Sequence, residues 1–530
     1  VALTLGLLAW RAVYLLFLSP YELVADEAHY WEWARHLDLS YYTKGPGVAW
    51  AIAASVAIFG SDEWSVRLPA AVAGAVAMVA LARLGGRSAG GDARAGFFAA
   101  ALFALVPALM GTSQFMTIDA PYLACWALAS WAGLAVMQGL RAGRGAIVAW
   151  ALLGAALGAG FLFKYTILLL VVGLVIFAVL RRRELRGGKA GWMELLVAGA
   201  VIAAAISPVV IWNQREGWPT VAHLLGHLGV SGGDIRPREA WSYTPRWTVV
   251  MIASQVGALG VPVTALVVMG FFAAKRGARE AGGWVFDELF LVCCAAPVLV
   301  FYLAVSLVTD VEANWPLAGF LTLLVLAGRR LGGELDRYGR LVAQWCALPA
   351  EARTKAGILR RKPETPWQIA WHWAIGWGVV AGLVISFVPY LPGLEGISGL
   401  DRIRGHRAWA GEVARVMERV RRQTGEQPLV VADHYGKASL LAFYLPGHPV
   451  VYSAARAMGQ RPSAYDYFAD TQLGDERLRG RTAVVVGTSV ERWERTLVFD
   501  GVEVADRTNQ VYIGRDYQGV RPAEPDEAQP

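Results

Sequence analysis

Charged residues are scarce: Asp, Glu, Lys and Arg make up only 17% of 530 residues. So little charge cannot cover the surface of a soluble protein of this length, which excludes an ordinary enzyme folded around one water-facing core. Cysteine is scarcer, at four residues, Cys125, Cys293, Cys294 and Cys346. None has a C-x-x-C spacing, so neither a disulfide framework nor a zinc site is indicated. The net charge of +7 does not mark a nucleic-acid binder, because the basic residues are spread through short loops between apolar stretches. No inverted repeat of the kind found in many secondary transporters is visible.

What the chain does have is apolar sequence. Hydrophobic residues reach 56%, the mean hydropathy is +0.41, and the excess comes in blocks of about 20 residues, the length that crosses a bilayer core. The 22 Trp and 18 Tyr suit interfacial aromatic belts. The pattern predicts about eleven spans, near 1–19, 66–82, 95–110, 118–137, 146–161, 164–180, 192–212, 247–273, 284–307, 314–328 and 369–391. Residues 1–19 read as a span and not a signal peptide, since no small-residue cleavage site follows. Every second loop is basic: Arg83, Arg87 and Arg94; Arg141 and Arg144; Arg181 to Lys189; Lys275, Arg276 and Arg279; then a long stretch from Arg329 to Lys362. The positive-inside rule makes those loops cytoplasmic and the others extracytoplasmic.

The outward segments are different in kind. Residues 20–65 hold Glu22, Asp26, Glu27, Glu32, Asp38, Asp62 and Glu63 against Arg35 and Lys44. Asp119 opens span four, Lys164 and Tyr165 stand between spans five and six, and Glu312, Asn314 and Trp315 form a turn before span ten. The transmembrane module therefore covers 1–391. Residues 392–530 form a soluble extracytoplasmic domain, in which a basic amphipathic helix near 407–423 precedes strand-like runs at 428–433, 449–453, 482–487 and 510–514. Helices between those runs give an α/β arrangement, with a disordered acid- and Pro-rich tail.

The densest chemistry lies in 24–50. A helix from Asp26 to Leu37 puts Asp26, His29, Tyr30 and Trp33 on one face, Gly45-Pro46-Gly47 breaks the chain, and a second amphipathic helix follows over 48–59. Two short helices flat on the membrane surface fit this pattern. A surface site for a lipid phosphate needs a fixed cation, which Lys44 supplies, and a carboxylate to accept a proton from an incoming nucleophile, which Asp26 or Glu27 supplies. The plainer alternative is that Asp-Glu only starts a helix.

These segments resemble the C-type (GT-C) glycosyltransferases that include the protein O-mannosyltransferases and the aminoarabinose transferase of lipid A, a set akin to glycosyltransferase family 39. The resemblance rests on Asp26-Glu27 and Tyr30, on Tyr42-Thr43-Lys44-Gly45-Pro46, on Arg67-Leu68-Pro69, on FMTIDAP (115–121) with Asp119, on FKYT (163–166), on GWPTVAHLLGH (217–227) and on EANWP (312–316). Together they run through most of the first 320 residues. His29 stands where the lipid A enzymes have Arg, and Gly45 replaces the first Pro after the Lys.

The resemblance implies a bacterial glycosyltransferase of the cytoplasmic (inner) membrane, acting on its outer face with a polyprenyl-phosphate sugar as donor. The acceptor would be lipid A or another glycolipid, an envelope polysaccharide or a protein. It implies Asp26 as general base, with Glu27 and Asp119 orienting base or acceptor. Lys44 would hold the donor phosphate, aided by His29, Tyr30, Tyr42 and Arg67. Lys164 and Tyr165 are either further donor contacts or interfacial residues whose polar ends reach for water. His227, Glu312, Asn314 and Trp315 are candidate acceptor or sugar contacts. His223 and His227 have an i, i+4 spacing that permits metal binding, but no companion carboxylate or cysteine pattern supports it. No metal or other cofactor is required, because the phosphate ester already activates the donor; a divalent cation near the acids stays open but is not indicated. The competing readings are a lipid-linked sugar transporter or flippase and a membrane-anchored assembly protein.

Overall fold

The computed structural model describes residues 2–185, 192–227, 233–234, 243–347, 365–391 and 400–521. Arg186, Lys189, Arg360, Arg361 and Lys362, used above for orientation, and the tail from 522 lie outside the described residues. The helices are α1 (Ala2–Val13, continued by a π turn Tyr14–Leu18), α2 (Ala25–Arg35), α3 (Gly47–Phe59), α4 (Glu63–Ser88), α5 (Ala93–Leu105), α6 (Pro107–Thr112), α7 (Asp119–Arg141), α8 (Ile147–Phe163), α9 (Leu168–Leu180), α10 (Arg182–Leu185), α11 (Trp192–Glu216), α12 (Pro219–His227), α13 (Pro245–Leu259), α14 (Val261–Glu280), α15 (Phe286–Val305), α16 (Leu317–Ala347), α17 (Pro366–Phe387), α18 (His406–Thr424), α19 (Tyr435–Tyr444) and α20 (Val490–Thr496). They divide between two compact units, one of 1–18, 68–207 and 240–388, the other of 19–67, 208–239 and 389–530.

The first unit is a helical bundle. By length and composition, six described helices are able to cross a membrane: α4, α7, α11, α14, α15 and α17 with its 3-10 extension to Tyr390. Shorter apolar helices include α1 with its π turn, α5, α8 and α9. Their outer surfaces carry large exposed apolar side chains, such as Phe17, Val148, Trp192, Val249, Val300 and Trp373, which water would not tolerate in such numbers. The chain is a multi-pass membrane protein.

Two expected spans are interrupted. The stretch 247–273 is not one helix: Gly260 (φ 78°) ends α13, and Val261-Pro262 opens α14. Trp377 packs where a Cβ on Gly260 would stand, so glycine is required by both conformation and space. The stretch 95–110 breaks at Val106, since Pro107 removes a backbone donor and forces its predecessor out of the helical region. The span expected at 314–328 starts at Leu317 and runs on to Ala347, so Arg329 and Arg330 are helical and not loop residues. Both pair with the buried Glu288 of α15, Arg330 at 2.7 Å and Arg329 at 3.6 Å.

The second unit joins α2 and α3 to the C-terminal α/β fold. Strands β1 (Leu429–Ala432), β2 (Val451–Ser453), β3 (Ala483–Val486), β4 (Leu497–Val498), β5 (Gly501–Asp506), β6 (Val511–Arg515) and β7 (Gly519–Val520) form a five-stranded sheet in the order β2-β1-β3-β6-β5 and a separate β4-β7 pair. β1 runs parallel to β2 and β3, while β6 and β5 are antiparallel. The four runs expected from sequence are β1, β2, β3 and β6. β1 and β3 are buried along their whole length, hence their unbroken Val-rich sequences. β5 has no such signature, because none of GVEVAD is fully buried and Glu503 and Asp506 interrupt its short apolar run.

Bundle packing depends on close backbone approach. A Cβ at Gly173 of α9 would overlap the Cys293 carbonyl oxygen of α15. Gly173→Leu therefore forces these helices apart, an overpacking cost of at least about 1–3 kcal/mol. A lower melting temperature in detergent is expected, and an unchanged one would contradict this packing.

Candidate functional site

The start of α2 is built around one buried ion pair. Glu27 is fully buried, and its Oε2 accepts the Val24 N–H at 3.1 Å, satisfying a donor that the helix leaves open. Arg67 is 1% exposed and grips the same carboxylate, Nε to Oε1 at 2.8 Å and Nη2 to Oε2 at 2.6 Å. Its other donors reach the Tyr21 carbonyl at 2.7 Å and the Glu22 carbonyl at 2.8 Å. Arg67, expected at the donor phosphate, is instead committed to holding residues 21–27 in place.

The neighbouring acid is differently placed. Asp26 is exposed and takes no hydrogen bond among the described residues. Its charge is felt by two residues at the start of α19. Burial lowers the His434 pKa, against which Asp433 and Asp26 act in part. Burial and then Asp26 raise the Tyr435 pKa. The two helix starts nearly touch, for a Cβ on Gly436 would meet the Ala25 Cβ at 3.1 Å.

The rest of the expected α2 face is buried. The Trp33 indole donates to His29 Nε2 at 3.1 Å. That leaves the proton of the neutral ring on Nδ1, which donates to Ser439 Oγ at 3.1 Å. Tyr435 and Tyr465 flank the ring at centroid distances of 4.6 and 5.7 Å. Burial, then the Lys44 and His434 charges, push the imidazole pKa down to about 3. His29 thus has no cation to offer a phosphate and serves to fasten α2 to α19. Lys44 is half-buried, its ammonium 6.0 Å from the centre of the Tyr30 ring. The Tyr41 N–H and Ser40 hydroxyl donate to the Lys44 carbonyl at 3.1 and 3.3 Å, fixing the turn that carries it.

Tyr42 reveals a partner that sequence reasoning missed. Its hydroxyl donates to Asp234 Oδ2, which also accepts from His223 Nδ1 at 3.0 Å. The Tyr42 ring stacks on Tyr467 at 5.7 Å. Burial acts to raise the Asp234 pKa, but the bonds from Tyr42 and His223 outweigh it and hold the carboxyl below its ordinary range. Nothing in the sequence around Asp234 marked it. His223 is thus carboxylate-bound, and the side chain of its i+4 neighbour His227 lies outside the described residues. Among the described residues, no three His, Cys, Asp or Glu side chains converge as metal ligands.

The first unit carries a second cluster. Asp119, 5% exposed at the start of α7, accepts from Lys164 Nζ at 2.8 Å and from Asn314 Nδ2 at 2.6 Å. Lys164 also stands 5.4 Å from the Tyr122 ring centre. Three expected residues, far apart in sequence, are thereby in direct contact. Gln255, buried on α13, donates to the Ala313 carbonyl at 3.1 Å and anchors the Asn314 turn. Trp315 lies against Tyr302 at 5.6 Å, Tyr165 packs on Phe161 at 4.8 Å, and Glu312 is exposed.

Comparison with known proteins agrees with this architecture. Residues 43–212 match the family described as dolichyl-phosphate-mannose-protein mannosyltransferase. A lipid A galacturonosyltransferase, RgtD of Rhizobium johnstonii, is 26% identical over 328 residues, 61% of this chain and 64% of that protein. An undecaprenyl phosphate-alpha-4-amino-4-deoxy-L-arabinose arabinosyl transferase of Pseudomonas aeruginosa is 32% identical over 275 residues, 47% of this chain and 48% of its own length. The chain thus spans about half to just under two thirds of these curated relatives. Among solved structures, apo ArnT from Cupriavidus metallidurans covers 97% of both chains at a TM-score of 0.59 and 18% identity. The same protein bound to undecaprenyl phosphate scores 0.58. The fold is shared with ArnT.

Two outcomes test the local geometry. Glu27→Gln leaves the Arg67 guanidinium buried without its counter-charge and costs about 3–5 kcal/mol; unfolding at the wild-type denaturant midpoint would refute the pairing. For His29, the unfolded ring takes a proton below its ordinary value of 6.5 while the native ring resists to about 3. Its contribution to stability therefore falls as pH drops from 6.5 towards 3. His29→Gln should flatten the melting temperature–pH curve in that window, and a slope matching wild type would refute the buried neutral ring.

Proposed function

We propose that this chain acts as a GT-C glycosyltransferase like the protein O-mannosyltransferases and aminoarabinose transferases it resembles, moving a sugar from a polyprenyl-phosphate donor to a lipid acceptor of the lipid A class. The relatives named for lipid A and undecaprenyl-phosphate sugars support that substrate class. The protein sits in the bacterial cytoplasmic membrane and works on its outer face. The basic loops support that orientation, and the same rule assigns the C-terminal α/β domain to the outer side.

The observation that carries the proposal is the division of labour between adjacent acids. Glu27 is locked in an ion pair, while Asp26 is exposed and unpaired. Asp26 takes the proton from the acceptor hydroxyl. The acceptor oxygen forms a bond to the anomeric carbon as the carbon–oxygen bond to the phosphate breaks. The leaving electron pair ends on polyprenyl phosphate, and in-line displacement inverts the anomeric centre. Lys44, on its fixed turn, binds the donor phosphate and stabilises the charge that accumulates there. Lys164 and Asn314 fix the Asp119 carboxylate at the start of α7. Tyr42 commits its hydroxyl proton to Asp234 and so steadies the turn that carries Lys44. Arg67 and His29 position α2 and touch no substrate. The phosphate ester activates the sugar, so the reaction needs no metal.

The test is transfer in reconstituted membranes, using undecaprenyl-phosphate galacturonate and undecaprenyl-phosphate aminoarabinose as donors, lipid A as acceptor, and product mass as readout. Asp26→Asn should lower turnover roughly a hundred- to ten-thousand-fold with expression intact. Lys44→Ala should weaken donor binding roughly ten- to a hundredfold. Full activity of Asp26→Asn would overturn the assignment of the base.

A further inference from the structure

The bundle holds a charge that the transfer reaction does not use. Arg11 lies on α1, inside an apolar helix, and is only 7% exposed. No hydrogen bond or ion pair reaches its guanidinium among the described residues. A guanidinium does not give up its proton in such a place, so it requires an anion. Its Nη1 would lie 2.6 Å from a Cβ on Gly74, and glycine is what leaves it room.

Arg11 opens onto a cavity of about 440 Å³ between α1, α5 and α17. The walls are apolar, with Leu7, Trp10, Phe97, Ala104 and Leu383 among them. One other polar group is left over. Gln114 spends its amide donor on Ser386 Oγ at 3.0 Å, and its Oε1 is buried without a partner among the described residues. An unpaired cation and an unpaired acceptor thus share one apolar cavity within the membrane-spanning bundle.

We infer that this cavity binds an acidic phospholipid of the surrounding bilayer, a phosphodiester with one negative charge and hydroxyls on its headgroup, as in phosphatidylglycerol. The phosphate oxygens accept from Arg11, a headgroup hydroxyl donates to Gln114 Oε1, and an acyl chain lies along the apolar wall. The charge count selects this class. A zwitterionic headgroup would bring its own ammonium next to Arg11. A polyprenyl phosphate has no headgroup hydroxyl beyond the phosphate and leaves a second negative charge uncompensated.

The experiment is native mass spectrometry of full-length protein from nanodiscs holding equal phosphatidylglycerol, phosphatidylethanolamine and undecaprenyl phosphate. Wild type should retain one phosphatidylglycerol, alongside undecaprenyl phosphate at the donor site, under activation that strips phosphatidylethanolamine. Arg11→Met should lose it by about tenfold or more. Ala104→Trp, which fills the cavity and leaves Arg11 in place, should lose it too, and both variants should still take up undecaprenyl phosphate as a check that they are folded. Equal phosphatidylglycerol retention by wild type and both folded variants would overturn the inference. So would selective retention of either other lipid at an Arg11-dependent site. Loss of undecaprenyl phosphate uptake in Lys44→Ala alone bears on the donor site and leaves this inference standing.

Discussion

The arrangement at the membrane surface depends on the buried pair of Glu27 and Arg67. Two charges withdrawn from water are tolerated only when their hydrogen bonds are fully used. Here the guanidinium reaches both carboxylate oxygens and two backbone carbonyls. This constraint sets the direction in which α2 leaves the chain at Val24. It also sets which of two consecutive acids faces inward, since neighbouring helix positions are about a third of a turn apart. With Glu27 turned in, Asp26 is turned out and exposed.

A second layer of support comes from α19. His29, Ser439 and Tyr465 form a buried polar chain in which the imidazole is neutral and both ring nitrogens are satisfied. The first outer loop and the C-terminal fold therefore share one compact unit, although more than 350 residues separate Asp26 from Tyr435 in sequence. An exposed carboxylate backed by a rigid, fully bonded layer is the general form of a preorganised site. In the other unit Asp119 is itself buried and bonded by Lys164 and Asn314, and Gln255 braces the turn that carries Asn314.

Much of this was legible locally. Apolar blocks of bilayer length, the break at Gly45-Pro46-Gly47, two short helices around it and four Val-rich strands all have short-range signatures. The interruptions at Gly260 and Pro107 carried punctuation too, but a continuous apolar run masked it, because lipid and bundle interior accept the same side chains. Arg329 and Arg330 looked like a cytoplasmic loop because charge at a span end usually marks one; Glu288 on the facing helix lets them stay helical.

The sequence by itself determined that the chain lives in a membrane, which segments are helical, and which polar residues are too unusual for their surroundings to be idle. These are properties of composition and periodicity, felt within a few turns of chain. Only the tertiary structure decided what each polar residue does. It separated exposed Asp26 from paired Glu27, moved Arg67 and His29 from ligand contact to framework, brought Asp234 to Tyr42, and left Arg11 unpaired among the described residues. Each of those outcomes depends on a partner, or the lack of one, distant in sequence, and electrostatic pairing across such distances leaves no local pattern to read.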